Sequence, residues 1–391
     1  MTKAVHKRLG DLLNLKRGYD LPESQRRPGP YPVISSAGIT GYHDEYMVEG
    51  QGVVTGRYGT LGEMYYVDGK YWPHNTALYV TTFKGNDPKY IYYLLTCLGR
   101  IRTSDKSAVP GVNRNELHEM EIPAISDTKQ QKKVAAILSA LDAKIDCNNR
   151  INAELEAMAK TLYDYWFVQF DFPDANGKPY KSSGGKMVYN ATLKREIPLG
   201  WHDSNVMAVA DLLGGGTPTK KKPDYWGGDI PFFTPTDANG SIFKFSTADY
   251  ITNEGLKGSS TKLFNKHTVF ITARGSVGRL VLAGVDMAMN QSCYALRAKA
   301  GISHVFIFFL AKELIHHLHV KSSGSVFDSI VSSDIELTKL AIPKGEVIEK
   351  FAAVVEPAFE KIANNTKENQ QLAQLRDWLL PLLMNGQVTV A

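Results

Sequence analysis

The sequence predicts an α+β fold with a pseudo-twofold internal repeat, in which two mixed α/β domains are each followed by one long helix. Two observations lead to this fold class. Apolar residues spaced alternately three and four apart, the seam of a coiled coil, run through residues 132–167 and again through residues 351–383. The segments before these two patterns also resemble each other, since both contain short β-type runs separated by turns.

The two long helices are predicted to pack on each other. Both seams are interrupted at matching positions, by Asn148 and Asn152 in the first and by Asn365 and Asn369 in the second. A seam Asn is tolerated mainly where it meets a polar partner, and parallel and antiparallel pairing would both bring these residues together. The alternative is two amphipathic helices, each lying on its own domain. The residues expected to pair the helices are Leu138, Leu141, Ile145, Asn148, Asn152, Leu155, Val355, Ile362, Asn365, Asn369, Leu372 and Leu379.

The elements are expected in a simple order along the chain. In the first domain, YPVIS, GVVTGRYGTLGEMYYV and TALYVTTF have the composition of strands, and a helix is expected after Pro88. Asp127 or Ser126 can cap the first long helix, and Pro357 should kink the second or start a shorter segment. The predicted segments are residues 1–125 for the first domain, 126–170 for the central helix, 171–200 for an exposed linker rich in Gly, Ser and Lys, 201–345 for the second domain and 346–386 for the C-terminal helix.

Composition narrows the class of protein. The net charge is +5, which suits a polyanionic partner but also occurs in many other soluble proteins. The three cysteines lie far apart without a CxxC motif, so neither a disulfide framework nor a zinc site is indicated. Because the chain shows neither a signal peptide nor an apolar stretch of membrane-spanning length, we expect a soluble, cytoplasmic protein that does not enter membranes.

No catalytic or metal-binding constellation is predicted. GGGTPTKKK (214–222) lacks the GxxxxGK[ST] spacing of a phosphate loop. His316, His317 and His319 cluster on an apparent helix without acidic partners at ligand spacing. A nuclease motif around Asp224 and Glu254 has its lysine one residue out of place. The sequence therefore does not favour an enzyme.

Nucleic-acid binding is better supported, because the same residue types recur at matching positions of the two domains. Arg57 and Arg274 lie in matching glycine-flanked turns, where Arg can bind guanine or phosphate. Asn75 corresponds to Asn290–Gln291, and such amides can read adenine, although they could also simply cap turns. The candidate DNA-binding residues are Arg17, Tyr19, Ser35, Ser36, Arg57, Tyr58, Thr60, His74, Asn75, Lys106, Asn113 and Arg114 in the first domain, and Thr217, Thr219, Lys220, Lys221, Thr236, Asp237, Arg274, Ser276, Asn290, Gln291, Lys321, Ser323 and Ser325 in the second.

Several segments resemble the DNA specificity subunit of type I restriction-modification enzymes over nearly the whole chain. They are LYDYWFVQFDFPDANGKPYKSSGGK, EIPLGW, GGDIPFFTPTDANG, ARGSVG and LLPLLMNGQV. The resemblance implies two target-recognition domains that each read half of a bipartite, asymmetric site in double-stranded DNA. It also implies that the helices pair antiparallel, as a spacer and a docking surface for two modification subunits.

The resemblance further implies a non-catalytic subunit. The modification subunits methylate adenine, and restriction subunits are recruited as well. S-adenosylmethionine, ATP and Mg²⁺ would then bind these partners and not this chain. The alternative from another class is a two-domain coiled-coil scaffold for protein interactions without DNA binding.

Overall fold

A computed structural model describes residues 4–56, 63–102, 114–321 and 328–390. The chain divides into two compact units. The first unit contains Met1–Asp146 together with Asn369–Ala391, and the second contains Cys147–Glu368. Both long helices therefore run from one unit into the other. In the described part of the chain, no helix combines the length and apolar character needed to cross a membrane.

The first unit is built on a six-stranded sheet. The order of its strands is β2-β7-β5-β6-β3-β4, and every neighbouring pair is antiparallel except β3 with β6. The predicted strands and the helix after Pro88 are present in it. Asp87 caps that helix, because its carboxylate accepts a hydrogen bond from the Tyr90 N–H at 2.9 Å. The elements are β1 Val5–Arg8, α1 Leu9–Leu12, β2 Asn14–Arg17, β3 Tyr31–Ser35, β4 Gly38–His43, β5 Val48–Gly56, β6 Met64–Pro73, β7 Ala77–Thr82, α2 Pro88–Arg102, α3 Arg114–Glu119 and β8 Glu121–Ala124, which pairs with β1.

The second unit contains a five-stranded and a three-stranded sheet. Their strand orders are β12-β19-β16-β17-β14 and β15-β13-β18. The phenylalanine-rich helix α6 is buried in the core of this unit. The long helix α4, Thr128–Tyr163, precedes the strands of this unit, and the long helix α8, Gly345–Met384, follows them. The elements between these helices are β9 Met187–Asn190, β10 Arg195–Pro198, β11 His202–Ser204, β12 Ala210–Gly214, β13 Trp226–Phe233, β14 Phe243–Lys244, β15 Asp249–Ile251, α5 Asn253–Lys257, β16 Val269–Thr272, β17 Leu280–Ala283, β18 Ala288–Met289, β19 Cys293–Ala298, α6 His304–Lys321, α7 Ser332–Leu337 and β20 Leu340–Ile342.

Residues 171–200 differ from the exposed linker that the sequence predicts. Phe172 is buried and stacks on Tyr180 at 4.7 Å and on Trp201 at 5.3 Å between ring centroids. Strands β9 and β10 then pair as a hairpin. The Gly, Ser and Lys residues that suggested a linker are largely exposed, but the aromatic residues that flank them fix the segment to the core of the second unit.

The long helices begin and end close to the predicted residues. Asp127 caps α4 through a hydrogen bond from the Lys129 N–H to its carboxylate at 3.0 Å, and a single π-helical stretch, Asp164–Val168, extends the helix. Pro357 neither ends α8 nor starts it, because the helix continues on both sides of this residue. Pro357 lies on the exposed face, where water can bind the carbonyl that loses its intrahelical partner.

Helices α4 and α8 pair antiparallel. In the second unit the Asn365 amide donates to the Asn152 side-chain oxygen at 2.8 Å, and Asn148 donates to Glu368 at 2.8 Å. Residue numbers therefore rise along one helix as they fall along its partner. In the first unit, Arg376 binds Asp142 at 2.7 Å. Every residue of the predicted seam is buried or half-buried. The contacts of Asn148, Asn152 and Asn365 show that polar residues of the seam meet polar partners there, as expected.

Candidate nucleic-acid interface

In the first unit, three loops meet at one end of the six-stranded sheet. They come after β2 (18–20), between β3 and β4 (36–37) and between β6 and β7 (74–76). The Tyr19 N–H donates to the Pro73 carbonyl at 2.8 Å, and the His74 N–H donates to the Ile34 carbonyl at 2.8 Å. These backbone hydrogen bonds bring together the predicted residues Arg17, Tyr19, Ser35, Ser36, His74 and Asn75.

Asp20 connects two of these loops through its side chain. Its carboxylate accepts hydrogen bonds from the Asn75 amide and from the Arg17 guanidinium, the latter at 3.2 Å. The Arg17 Nε–H also points to the Asn75 carbonyl at 3.4 Å. The guanidinium and the amide are therefore held beside each other, and the positive charge of Arg17 is partly neutralised by Asp20.

A second group of contacts orders the adjacent loop. The His74 ring lies 3.0 Å from the Thr76 hydroxyl, which accepts a hydrogen bond from the Ser36 N–H at 3.4 Å. Burial, and then the charge of Arg26, lowers the pKa of His74, so the ring is neutral at physiological pH. Ser35 is buried and accepts a hydrogen bond from the Ala37 N–H at 3.1 Å. Ser35 therefore shapes the turn instead of facing solvent.

The second unit repeats this arrangement with different side chains. The Gly216 N–H donates to the Met289 carbonyl at 3.0 Å, and the Asn290 N–H donates to the Phe233 carbonyl at 3.0 Å. Thr217 and Gln291 then form a side-chain hydrogen bond across the two loops. Each contact has a counterpart in the first unit, where Tyr19 pairs with Pro73, His74 with Ile34 and Asp20 with Asn75.

The repeated loops require glycine at the same position. A Cβ at Gly18 would lie 2.2 Å from the His74 carbonyl oxygen, and a Cβ at Gly215 would lie 2.2 Å from the Asn290 carbonyl oxygen. Both distances are far below van der Waals contact with backbone atoms. The two strand ends can therefore approach each other only where the side chain is absent.

Arg274 lies in an exposed turn beside this second cluster. The N–H groups of Ala273 and Arg274 donate to the Ser292 carbonyl at 2.8 and 3.2 Å, and Gly275 has a φ of 82°. The Ser276 carbonyl accepts a hydrogen bond from Thr272. The matching turn with Arg57, Tyr58 and Thr60 lies outside the described residues, as do Lys106, Asn113, Ser323 and Ser325.

The remaining predicted residues of the second unit have more varied surroundings. Asp237 accepts hydrogen bonds from the Thr234 N–H at 2.8 Å and from the Ala248 N–H at 3.0 Å. Its carboxylate is therefore occupied in holding its own loop, next to the exposed Thr236. Lys220 and Lys221 are exposed, and the Lys220 ammonium lies 6.0 Å from the Trp226 ring centroid. These two lysines have the exposure that phosphate contacts need.

Arg114 and Lys321 are not brought into the loop clusters. Arg114 is the first residue of α3 and Lys321 is the last residue of α6, and both are exposed. Among the described residues, neither has a hydrogen bond to the clusters. Conversely, sequence reasoning missed Asp20 and Thr76, since an acidic residue is not an expected DNA contact and Thr76 gave no signal beyond its position after Asn75.

Three histidines lie close together near the end of α6, at positions 316, 317 and 319. In the part of the chain that the structure covers, no group of three or more His, Cys, Asp or Glu side chains could hold a metal ion. His317 instead lies 3.8 Å from Glu313 on the same helix. The loop clusters, in contrast, contain hydrogen-bonding and cationic groups, which are suited to binding a polar or negatively charged surface.

Known proteins resemble this chain over most of its length. The profile of the type I restriction modification DNA specificity domain matches residues 1–157 and 198–374. The MjaIX specificity subunit of Methanocaldococcus jannaschii is 29% identical over 312 residues, which cover 77% of this chain and 69% of that protein. The HindI specificity subunit of Haemophilus influenzae is 24% identical over 315 residues, 68% of each chain. A crystal structure of a type I S subunit from M. genitalium superposes with a TM-score of 0.57 over 97% of this chain and 96% of that chain at 16% identity, which supports the fold.

Proposed function

Because the chain belongs to the type I restriction-modification DNA specificity family, we propose that its two units each read one half of a split, asymmetric DNA target. The observation that carries this proposal is the repeated loop cluster. The same backbone contacts in the two units present Arg17, Asp20 and Asn75 in one and Thr217 and Gln291 in the other. A shared scaffold with different polar side chains suits two different base sequences.

The chemistry is assigned to partner subunits. The modification subunits would methylate adenine with S-adenosylmethionine, and the restriction subunits would use ATP and Mg²⁺, whereas this chain would bind none of these. Its own residues would position the complex, with exposed groups such as Arg274 and Lys220 on phosphates and amides on base edges. Recognition by this chain then decides where the chemistry takes place.

Two copies of the modification subunit are supported by matching apolar patches on the paired helices. In the second unit, Met158 is 65% and Val354 is 58% exposed. In the first unit, the positions that repeat them are Leu375 and Ile137, which are 42% and 37% exposed, and Trp378 beside Leu375 is 64% exposed. Large apolar side chains grouped on a helix face are typical of protein interfaces. The same kind of partner would therefore dock once on each unit.

The test is the methylome of a methylation-free host that carries this gene together with the neighbouring modification gene. An N6-methyladenine mark at one split motif, absent when this gene is omitted, is the expected result. If both proteins are soluble and associated but no mark appears, and if the purified complex shows no salt-sensitive DNA binding, the protein-interaction scaffold is the better interpretation.

A further inference from the structure

We propose that Asn75 and Gln291 are equivalent base-reading residues, one for each half-site, and that each reads an adenine. Asp20 and Thr217 would be their positioning residues, holding the two amides from the opposite loop. This inference rests on the proposed function and deepens it, because it names which side chains distinguish bases and which base they select.

The equivalence is established by the backbone. Asn75 comes directly after His74, whose N–H bonds to the last apolar residue of β3, and Gln291 comes directly after Asn290, whose N–H bonds to the last residue of β13. The partner side chain comes in both units from the loop that enters beside the same strand end. The two amides therefore occupy one structural position, and the backbone identifies Gln291, not Asn290, as the counterpart of Asn75.

In the first unit, the carboxylate of Asp20 fixes the orientation of the amide. An ionised carboxylate only accepts hydrogen bonds, so the Asn75 nitrogen must face it and one N–H is used there. The second N–H and the side-chain oxygen of Asn75 remain. These are the donor and the acceptor that bind adenine N7 and N6 together. Arg17 offsets the negative charge of Asp20, which would otherwise repel the DNA backbone.

In the second unit, a hydroxyl takes the place of the carboxylate. The Thr217 hydroxyl donates to the Gln291 side-chain oxygen, which keeps a second lone pair, and both N–H groups of the amide remain available. Gln291 is exposed. It therefore offers the same donor and acceptor pair as Asn75, on a side chain that is one methylene longer.

The experiment compares methylomes of the chain with its modification subunit for the variants Asn75→Ala, Gln291→Ala, Asp20→Ala and Asp20→Asn. Asn75→Ala should lower the preference for adenine about tenfold or more at one position of one half-site and leave the other half-site unchanged. Gln291→Ala should act in the same way on the other half-site. Asp20→Ala should relax the same position as Asn75→Ala, and Asp20→Asn should restore part of the preference because its side-chain oxygen still accepts a hydrogen bond.

Asn14→Ala is the matched control. It removes an amide from β2, the strand that leads into the loop with Asp20; this amide donates to the Thr81 hydroxyl at 2.9 Å, and the motif should not change. An unchanged motif in Asn75→Ala, or relaxation of the same half-site by Asn75→Ala and Gln291→Ala, overturns the inference. If a variant leaves no mark, its complex is tested on duplexes substituted at each half-site position, and equal loss with every base overturns it. If the unmodified chain gives no mark at all, the proposed function itself fails.

Discussion

The length of the paired helices can be changed without touching either loop cluster, and this should change the gap between the half-sites. Helix α4 has 36 residues and α8 has 40, and both cross the boundary between the units, at Asp146–Cys147 and Glu368–Asn369. We consider an insertion of four helix-forming residues after Asp146, matched by four in α8 after Gln370, close to the facing position of the antiparallel partner.

The expected size of the effect can be worked out from helix geometry. Four residues lengthen a helix by about 6 Å and turn its downstream part by about 40°. One DNA base pair advances about 3.4 Å and rotates about 35°. The rotation therefore corresponds to one added base pair and the translation to nearly two. We expect the methylated motif to keep both half-sites and to gain one or two base pairs between them.

The control inserts the same four residues into the exposed turn between Asn176 and Gly177, which the helices do not contain. The gap should not change in that variant. The methylome of each variant gives the half-sites and the gap in one measurement. A helix variant that still associates with the modification subunit but methylates the original spacing would show that the helices are not the spacer.

Three further predictions concern stability and the loop cluster. Arg376→Ala leaves Asp142, whose side chain is 25% exposed, without its cation, and should lower the free energy of unfolding by about 2 kcal/mol in urea titrations; a loss below about 0.5 kcal/mol would contradict this. Gly18→Ala places a Cβ 2.2 Å from the His74 carbonyl oxygen, so the methylome should lose selectivity in one half-site only, and an unchanged motif would contradict the close approach. Burial, and then repulsion from His267, lowers the pKa of His304 to about 3, so the unfolded chain binds a proton below pH 6.5 that the folded chain does not. The free energy of unfolding should therefore fall by up to about 2 kcal/mol between pH 6.5 and 5. The His304→Gln variant should lose less stability over this pH range, and thermal unfolding at both pH values measures the difference.

The parts of the fold that sequence predicted correctly are those governed by local periodicity. Steps of three and four residues marked both long helices, and the paired asparagines indicated that these helices meet. Short runs of strand-forming residues bounded by turns marked β3, β5, β6 and β7. The direction of helix pairing could not be predicted, because a polar seam residue finds a counterpart in either orientation. The contacts of Asn152 with Asn365, of Asn148 with Glu368 and of Asp142 with Arg376 show that it is antiparallel.

The composition of the loop cluster could be predicted only in part. Tyr19 and His74 are distant in sequence and meet because β2 lies beside β7, a strand order that no local pattern specifies. Asp20 was missed for a related reason. Its carboxylate binds the side-chain amide of Asn75, a contact that the sequence does not reveal, and an acidic residue is not an expected DNA contact. The segment 171–200 differs from the predicted linker because Phe172 stacks on both Tyr180 and Trp201, which lie on the far side of polar stretches of the sequence.

The ion pair between Asp142 and Arg376 joins α4, which belongs to the first half of the chain (residues 1–170), to α8, which belongs to the second half (residues 171–391). Two helices that repeat each other and pair antiparallel could also pair between copies of the same half. In such a self-pair of the first half, Asp142 would face Ala159, which occupies in α4 the place that Arg376 has in α8; in a self-pair of the second half, Arg376 would face Phe359. A self-pair of the first half would enclose the half-buried Asp142 carboxylate without a counter-charge. In a self-pair of the second half, Arg376 would lose Asp142 and keep only its chain neighbour Asp377. If the gene were split between α4 and β9, the two fragments should therefore assemble with each other in preference to assembling with themselves, and the asymmetry of the target would survive the loss of the covalent connection.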